Sequence, residues 1–141
     1  MSELGNNIKK YSLIIGLFSV LFFSRCKVHK EAKKGSIEKV DGSYEITSVK
    51  QIGDTTQALI TGHVIDKHTG NPVYLCFISS KNGTESVHTD RDGYYKLVLS
   101  GGSTIIVAQA LSHDQLETKT IDVEKGKEYD LDFYLGVTLV H

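Results

Sequence analysis

The chain has 141 residues, of which sixteen are basic and seventeen acidic, so its formal net charge is −1. This length allows one domain with a modest extension. The balanced charge excludes the basic footprint of a nucleic-acid-binding protein. Thirteen glycines with a single proline favour short strands joined by turns over a helical bundle.

The first predicted element is an N-terminal targeting segment. An apolar run, YSLIIGLFSVLFF, covers residues 11–23 and follows Lys9 and Lys10. A basic start and a short apolar run are typical of a secretory signal, and a transmembrane helix needs roughly 20 residues. Cys26 follows the run directly, which resembles the lipobox of bacterial lipoproteins. We therefore predict a lipoprotein signal peptide over residues 1–25, with lipidation of Cys26.

One residue departs from the lipobox pattern. Lipoboxes usually carry Gly, Ala or Ser just before the cysteine, and here Arg25 occupies that position. An uncleaved membrane anchor and ordinary signal cleavage therefore stay open as alternatives. If the signal is of the lipoprotein type, acyl chains supply membrane affinity at about 0.8 kcal/mol per buried methylene. The resemblance implies an outer-membrane lipoprotein, since no Asp follows Cys26.

Residues 26–57 are predicted to be a tether and lead-in. The stretch KVHKEAKKGSIEK, residues 27–39, is polar and rich in lysine, so it buries too little surface to order itself. A short strand at Tyr44–Thr47 is an open possibility. The second cysteine, Cys76, lies in the apolar run VYLCFI and is expected to be a buried free thiol. A disulfide with Cys26 is the alternative, and no CxxC motif indicates structural zinc.

Residues 58–141 are predicted to form an all-β domain. Apolar and polar residues alternate from Ala58 onward, and glycine-containing turns recur every 8 to 12 residues, the pattern of a β-sandwich. An Asn-Gly pair at 82–83 is a strong hairpin signal. Seven strands are predicted, at 58–66, 73–79, 86–89, 94–99, 104–110, 118–123 and 129–135.

The sequence TDRDG, residues 89–93, raises the question of chemistry. An EF-hand loop that began at Asp90 would need glycine at its sixth position and glutamate at its twelfth, where this chain has Tyr95 and Gly101. Catalytic carboxylate pairs normally come from separate elements. Aspartate caps backbone N–H groups in turns, and glycine supplies a positive φ. We interpret Asp90 and Asp92 as turn residues, with a looser calcium site as the alternative.

Two motifs in order carry a family resemblance. The first is G-x-V-x-D-x-x-T-G-x-P-V over residues 62–73, and the second is T-D-x-D-G-x-Y-x-L over residues 89–97. Together they resemble the carboxypeptidase regulatory-like domain, over about residues 58–135. The resemblance implies a seven-stranded, transthyretin-like Greek-key β-sandwich and non-catalytic function. It gives structural roles in turns or strand packing to Gly62, Asp66, Thr69, Gly70, Pro72, Thr89, Asp90, Asp92 and Gly93.

The chain departs from the family pattern at one loop. Family members usually follow the central apolar strand with a Gly-Tyr pair, and residues 110–114 here read ALSHD. We therefore expect a differently shaped loop after TIIVAQA. The resemblance also places Tyr95, Leu97 and Leu99 on one face, towards the core.

Other candidate sites have less support in the sequence. His63 and His88 lie on predicted strands and are candidates to share a sheet face, but a metal site would lack a third ligand. No G-x-S-x-G motif supports a Ser-His-Asp triad. Exposed tyrosines on an outer sheet face would indicate sugar binding. The candidates are Tyr74, Tyr94, Tyr95, Tyr129 and Tyr134.

Three function classes follow from these observations. We favour a non-catalytic, membrane-anchored module that acts on a cell-envelope partner protein, with no catalytic residue, metal or cofactor. Edge strands of a sandwich offer a route to such binding. A carbohydrate- or peptide-binding envelope lipoprotein is the second class. A hydrolase is the third, and it would require a concave pocket with converging His and Asp side chains.

Overall fold

The computed structural model describes residues 35–141, which form β-strands joined by turns and contain no helix. No helix in this range is long and apolar enough to cross a membrane. The strands are β1 Ile37–Val40, β2 Ser43–Gln51, β3 Ala58–Asp66, β4 Phe77–Ser80, β5 Ser86–His88, β6 Tyr94–Leu99, β7 Gly102–Thr104, β8 Ile106–Gln109, β9 Leu116–Glu117, β10 Ile121–Val123, β11 Lys127–Leu135 and β12 Val137–Val140.

Two four-stranded sheets form the sandwich. The first has the order β2-β11-β3-β6, in which β3 runs parallel to β11 and the other neighbours are antiparallel. The second has the order β5-β4-β8-β9 and is antiparallel throughout. Two smaller pairs, β1 with β12 and β7 with β10, complete the described part of the chain. The predicted all-β sandwich is confirmed.

The core lies between the inner faces of the two sheets. Alternate residues of β6 are buried, as are those of the second half of β11, because successive side chains of a strand point to opposite faces. The first sheet contributes Tyr95 and Phe133, whose rings lie 6.2 Å apart, and the second contributes Ile78. Tyr95, Leu97 and Leu99 are all buried, as expected from the sequence.

Regular β-structure begins closer to the N-terminus than predicted. The interpretation of residues 27–39 as a tether is wrong for Ile37–Lys39, which belong to β1 and pair with β12. Likewise β2 covers nine residues, well beyond the short strand considered at Tyr44–Thr47. Backbone pairing explains the difference, because a polar strand orders when a neighbour supplies its hydrogen bonds.

Two predicted strands have different bounds. TIIVAQA is interrupted at Ile105, where the chain passes from β7, paired with β10, to β8, paired with β4. VYLCFIS becomes a strand only at Phe77, because residues 73–76 form a turn with Leu75 at a φ of 55°. The lipidation of Cys26 and the signal peptide over residues 1–25 lie outside the described residues.

Candidate functional site

One end of the sandwich is built around the turn that follows β3. Asp66 Oδ1 accepts hydrogen bonds from the backbone N–H of His68 at 2.8 Å and of Thr69 at 3.0 Å. The Asp66 carbonyl accepts from Gly70 N–H at 2.8 Å, and Gly70 has a φ of 76°. Pro72 then forms a single bridge back to Ile65. Asp66, Thr69, Gly70 and Pro72 thus lie together in one turn.

The second carboxylate oxygen of Asp66 contacts a histidine 47 residues later in the chain. His113 Nε2 lies 3.0 Å from Asp66 Oδ2, and the two side chains are only 14% and 17% exposed. Burial alone would raise the pKa of Asp66, but the Thr69 N–H, the His113 ring and the His68 N–H together lower that pKa. The pair joins the β3 turn to the loop after β8.

A buried threonine fixes the second loop at this end of the sandwich, residues 73–76. Thr89 Oγ1 donates to the Val73 carbonyl at 2.6 Å and accepts from Cys76 N–H at 2.8 Å. These bonds fix residues 73–76 and present Tyr74 and Leu75 to solvent, 54% and 57% exposed. Leu75 has a left-handed φ of 55°, which a non-glycine residue adopts only when its surroundings enforce it.

The loop after β8 likewise combines an exposed apolar side chain with a left-handed non-glycine residue. Leu111 is 94% exposed, and Ser112 has a left-handed φ of 62°. His113 anchors the loop, because its Nδ1 donates to the Leu111 carbonyl at 2.9 Å while Nε2 faces Asp66. The departure from the Gly-Tyr pattern noted in the sequence therefore lies at this site.

A groove of about 460 Å³ lies between these two loops. We call it the Tyr74 groove. Neighbouring exposed apolar side chains beside a concavity are a common feature of binding surfaces. A second concavity, of about 120 Å³, lies at the opposite end of the first sheet beside Gly101. The Tyr74 groove is lined by Asp66, Thr69, Asn71, Pro72, Val73, Tyr74, Leu75, Ala110, Leu111 and His113.

Most polar groups at the base of the groove already have partners within the protein. Both Asp66 oxygens and both His113 nitrogens are engaged, and Thr69 Oγ1 accepts from Asn71 N–H at 3.3 Å. The groove offers a ligand its apolar side chains, the Asn71 side-chain amide and the hydroxyls of Tyr74 and Thr69. This arrangement suits an apolar anchor from a partner more than a highly polar one.

The TDRDG turn, whose Thr89 holds residues 73–76, has a structural arrangement. Asp90 Oδ1 accepts from Asp92 N–H and Tyr94 N–H, both at 2.9 Å. Gly93 has a φ of 74°, and its carbonyl accepts from Val64 N–H at 2.8 Å. The carboxylate thus binds the turn's own backbone, as Asp does in such turns.

The close approach predicted for Gly62 is also visible. Gly62 lies in β3 against β11, and a Cβ on it would overlap the Leu131 carbonyl. Tyr95 Oη donates to that same carbonyl at 2.6 Å. Burial raises the pKa of the Tyr95 phenol, so this hydroxyl remains a donor.

Histidines and tyrosines do not assemble as the sequence allowed. His63 lies in the first sheet beside Tyr94, whereas His88 lies in the second sheet beside Phe77, so the shared face considered as a possibility from the sequence does not form. No group of three metal-ligating side chains occurs within residues 35–141. Tyr95 and Tyr129 are buried, and Tyr74 and Tyr94 are exposed.

Cys76 has the environment of a core residue. Its side chain is fully buried, and burial raises the pKa of its thiol to about 11. A thiol with such a pKa remains protonated at neutral pH and is a poor nucleophile. The predicted buried free thiol is confirmed by its place in the core.

The carboxypeptidase regulatory-like domain family model matches residues 59–136, more than half of the chain. The chain belongs to the carboxypeptidase regulatory-like domain family. This confirms the resemblance seen in the two sequence motifs, and the family is a non-catalytic β-sandwich family. Gly62, Asp66, Gly70 and Asp90 all lie inside the matched range.

Comparisons with curated proteins and with solved structures are less informative than the family match. No curated protein matches the chain. One similar solved structure is from Bacteroides uniformis ATCC 8492, described as a proposed carbohydrate-binding protein. It shares 17% identity and a TM-score of 0.44, over 55% of this chain and 40% of that chain. This chain therefore spans less than half of that protein, and a similarity of this size does not extend to function.

Proposed function

We propose that this carboxypeptidase regulatory-like domain is a non-catalytic, membrane-anchored module that binds a partner protein of the bacterial cell envelope through the Tyr74 groove. The observation that carries this proposal is the cluster of exposed Tyr74, Leu75 and Leu111 on two loops with left-handed non-glycine residues. Strained, exposed apolar loops on a rigid scaffold are typical of binding surfaces.

The engaged state of Asp66 and His113 supports a non-catalytic function. Their convergence beside a groove is the geometry expected of a hydrolase. A general base, however, needs a ring nitrogen free to take a proton from a nucleophile or water. His113 uses Nε2 on Asp66 and Nδ1 on the Leu111 carbonyl. The pair is thus suited to hold the two loops together.

Membrane attachment rests on the sequence of residues 9–26, which lie outside the described part of the chain. The basic start, the apolar run and Cys26 support a lipid anchor and a position in the bacterial outer membrane. An anchored domain with exposed apolar loops meets its partner within the same envelope. We propose this location for the domain.

Site-specific photo-crosslinking tests the binding proposal. A photoreactive residue at position 111 of the full-length protein in its native membrane should form a defined adduct with one envelope protein. The same residue at position 96 is the matched control, because Lys96 is also exposed but lies on the outer face of β6. Adduct formation should decrease when Tyr74→Asp is added. Equal labelling from both positions would refute the groove as the binding surface.

A second candidate is the binding of a carbohydrate or peptide in the same groove. The observation that favours it is the exposed Tyr74 ring beside the Asn71 amide, since sugars stack on aromatic faces and hydrogen-bond to amides. Calorimetric titration with cell-wall glycan fragments and envelope peptides tests it. A heat of binding that is lost in Tyr74→Ala and retained in Tyr94→Ala would support ligand binding in the groove.

A further inference from the structure

The edge strand β2 forms a surface separate from the Tyr74 groove. β2 pairs with β11 on one side, and no other strand within residues 35–141 pairs with its other side. At nine residues it is as long as any strand of the described fold. A long open edge exposes backbone donors and acceptors that fit another strand.

A bulge in β2 decides which side chains share a face. The pairing with β11 shifts between Asp130 and Leu131, which correspond to Ser48 and Ile46, so Thr47 is the extra residue. Ile46 opposes buried Leu131 and Val49 opposes buried Tyr129, so both point to the inner side of the sheet. Even so, they are 41% and 51% exposed.

Charged residues flank this pair on the outer face. Glu45 opposes Asp132 and Lys50 opposes Glu128, and both β2 side chains are exposed. Like charges directly opposite one another are unfavourable in a sheet. Asp132 Oδ1 accepts a hydrogen bond from His63 N–H at 2.7 Å, and a positive charge beside Glu45 would offset the remaining repulsion between the two carboxylates.

These positions are complementary to themselves under a two-fold rotation. When β2 pairs antiparallel with a second β2 about an axis between Thr47 and Ser48, Ile46 meets Val49 of the second copy. In the same register, Glu45 meets Lys50 of the second copy. Each contact occurs twice, as in an isologous interface. Without the bulge, residues 45 and 50 would lie on opposite faces.

We infer that two copies of this chain associate through β2, joining their first sheets into one eight-stranded sheet with Ile46–Val49 and Glu45–Lys50 contacts across the axis. The interface uses no residue of the Tyr74 groove and goes beyond partner binding. The other edge strand of this sheet, β6, has no comparable charge complementarity, because Lys96 is its only charged residue.

Charge variants of the full-length protein in detergent test this inference. Glu45→Lys alone places two lysines across each contact, and Lys50→Glu alone places two glutamates there, so each variant should be mainly monomeric in sedimentation velocity. Their equimolar mixture restores both contacts and should form a heterodimer, with an apparent dissociation constant at least tenfold lower than for either variant alone. Lys96→Glu is the control and should associate as the wild type does.

Hydrogen exchange supplies the second readout. Amides of residues 43–51 should exchange more slowly in the wild type as protein concentration rises, and circular dichroism should show that each variant is folded. A wild type that stays monomeric, or a mixture of the two variants that does not associate, overturns the inference. So does a dimer that persists equally in both single variants, because it must then use another surface.

Discussion

Thr89 stabilises the loop that presents Tyr74 through a single hydroxyl group. Its Oγ1 bonds both the Val73 carbonyl and Cys76 N–H, and the residue is buried. Thr89→Val keeps the shape but leaves both groups unpaired, so we expect a loss of about 1–3 kcal/mol in the free energy of unfolding. Urea denaturation measures it.

Thr138→Val is the matched control for that substitution. Thr138 is exposed, and its hydroxyl bonds only Asp114. The change should stay within about 0.5 kcal/mol. Equal losses at positions 89 and 138 would contradict the role assigned to Thr89.

The ionisation of Asp66 makes the free energy of unfolding depend on pH in the acidic range. Its folded pKa lies below the ordinary value of 3.8, so its ionised form stabilises the fold above that value. The contribution is lost as pH falls below about 3.8 and through the folded pKa. Asp66→Asn should therefore be destabilising at pH 7, and the difference from the wild type should shrink towards pH 3.

The comparison needs unfolding curves of both proteins at several pH values. Asp54→Asn, at an exposed position outside the strands, serves as the control. A difference between wild type and Asp66→Asn that is constant from pH 7 to pH 3 would exclude ionisation of Asp66 as its source.

At the scale of strands, the parallel contact of β3 with β11 depends on Gly62. A Cβ there meets the Leu131 backbone, which cannot move without disturbing the central pair of strands. Gly62→Ala should lower the free energy of unfolding by about 3 kcal/mol. Gly70→Ala separates backbone strain from overlap, because its φ is 76° and its surroundings are open. Thermal unfolding should show a loss of only about 1–2 kcal/mol there.

The left-handed loop residues allow stability and binding to be separated. Leu75→Gly and Ser112→Gly each remove a strained φ, so each should gain up to about 1 kcal/mol in the free energy of unfolding. Only Leu75→Gly removes an apolar side chain from the groove. It should therefore reduce crosslinking from position 111, whereas Ser112→Gly should not. Loss of crosslinking in both variants would show that the loop conformation, and not the side chain, carries binding.

Strands with strong alternation were predictable from the sequence. YYKLVL matches β6 in its bounds, and ALITGHVID matches β3. One face of β6 is buried and the other exposed, whereas β3 is largely buried and exposes only His63. β1 and β12 lack that pattern: Ile37 and Val140 are largely exposed, and their order comes from pairing with each other. A contact between residues as distant in the sequence as Ile37 and Val140 leaves no local signal.

The candidate site was predictable only in part. The TGNP turn and the departure at ALSHD both mark it in the sequence. The pairing of Asp66 with His113 and the left-handed Leu75 were missed, since both depend on how separate loops meet in space. A histidine in a loop has no pattern of its own that distinguishes a loop anchor from a surface residue.

For the whole molecule, the state of Cys26 decides the membrane prediction. We expect the intact mass of protein from its native membrane to match a chain that begins at Cys26 and carries acyl groups, because the thiol follows a short apolar run. Cys26→Ala should lose the lipid mass. A cleaved chain without lipid would indicate a secreted module, and a full-length mass would indicate an uncleaved anchor.

The pairing of β1 with β12 has a mechanical consequence. Ile37 lies opposite Val140 at the outer end of this pair, and the two strands run on, past Gly42 and Gly136, into β2 and β11. A pulling force between residues 35 and 141 therefore opens the pair like a zipper, one hydrogen-bonded step at a time, and meets low resistance. The same force applied between residue 35 and the far end of β11 loads the strands in shear, where many hydrogen bonds resist together. The direction of the applied force thus decides how much force is needed to separate these strands.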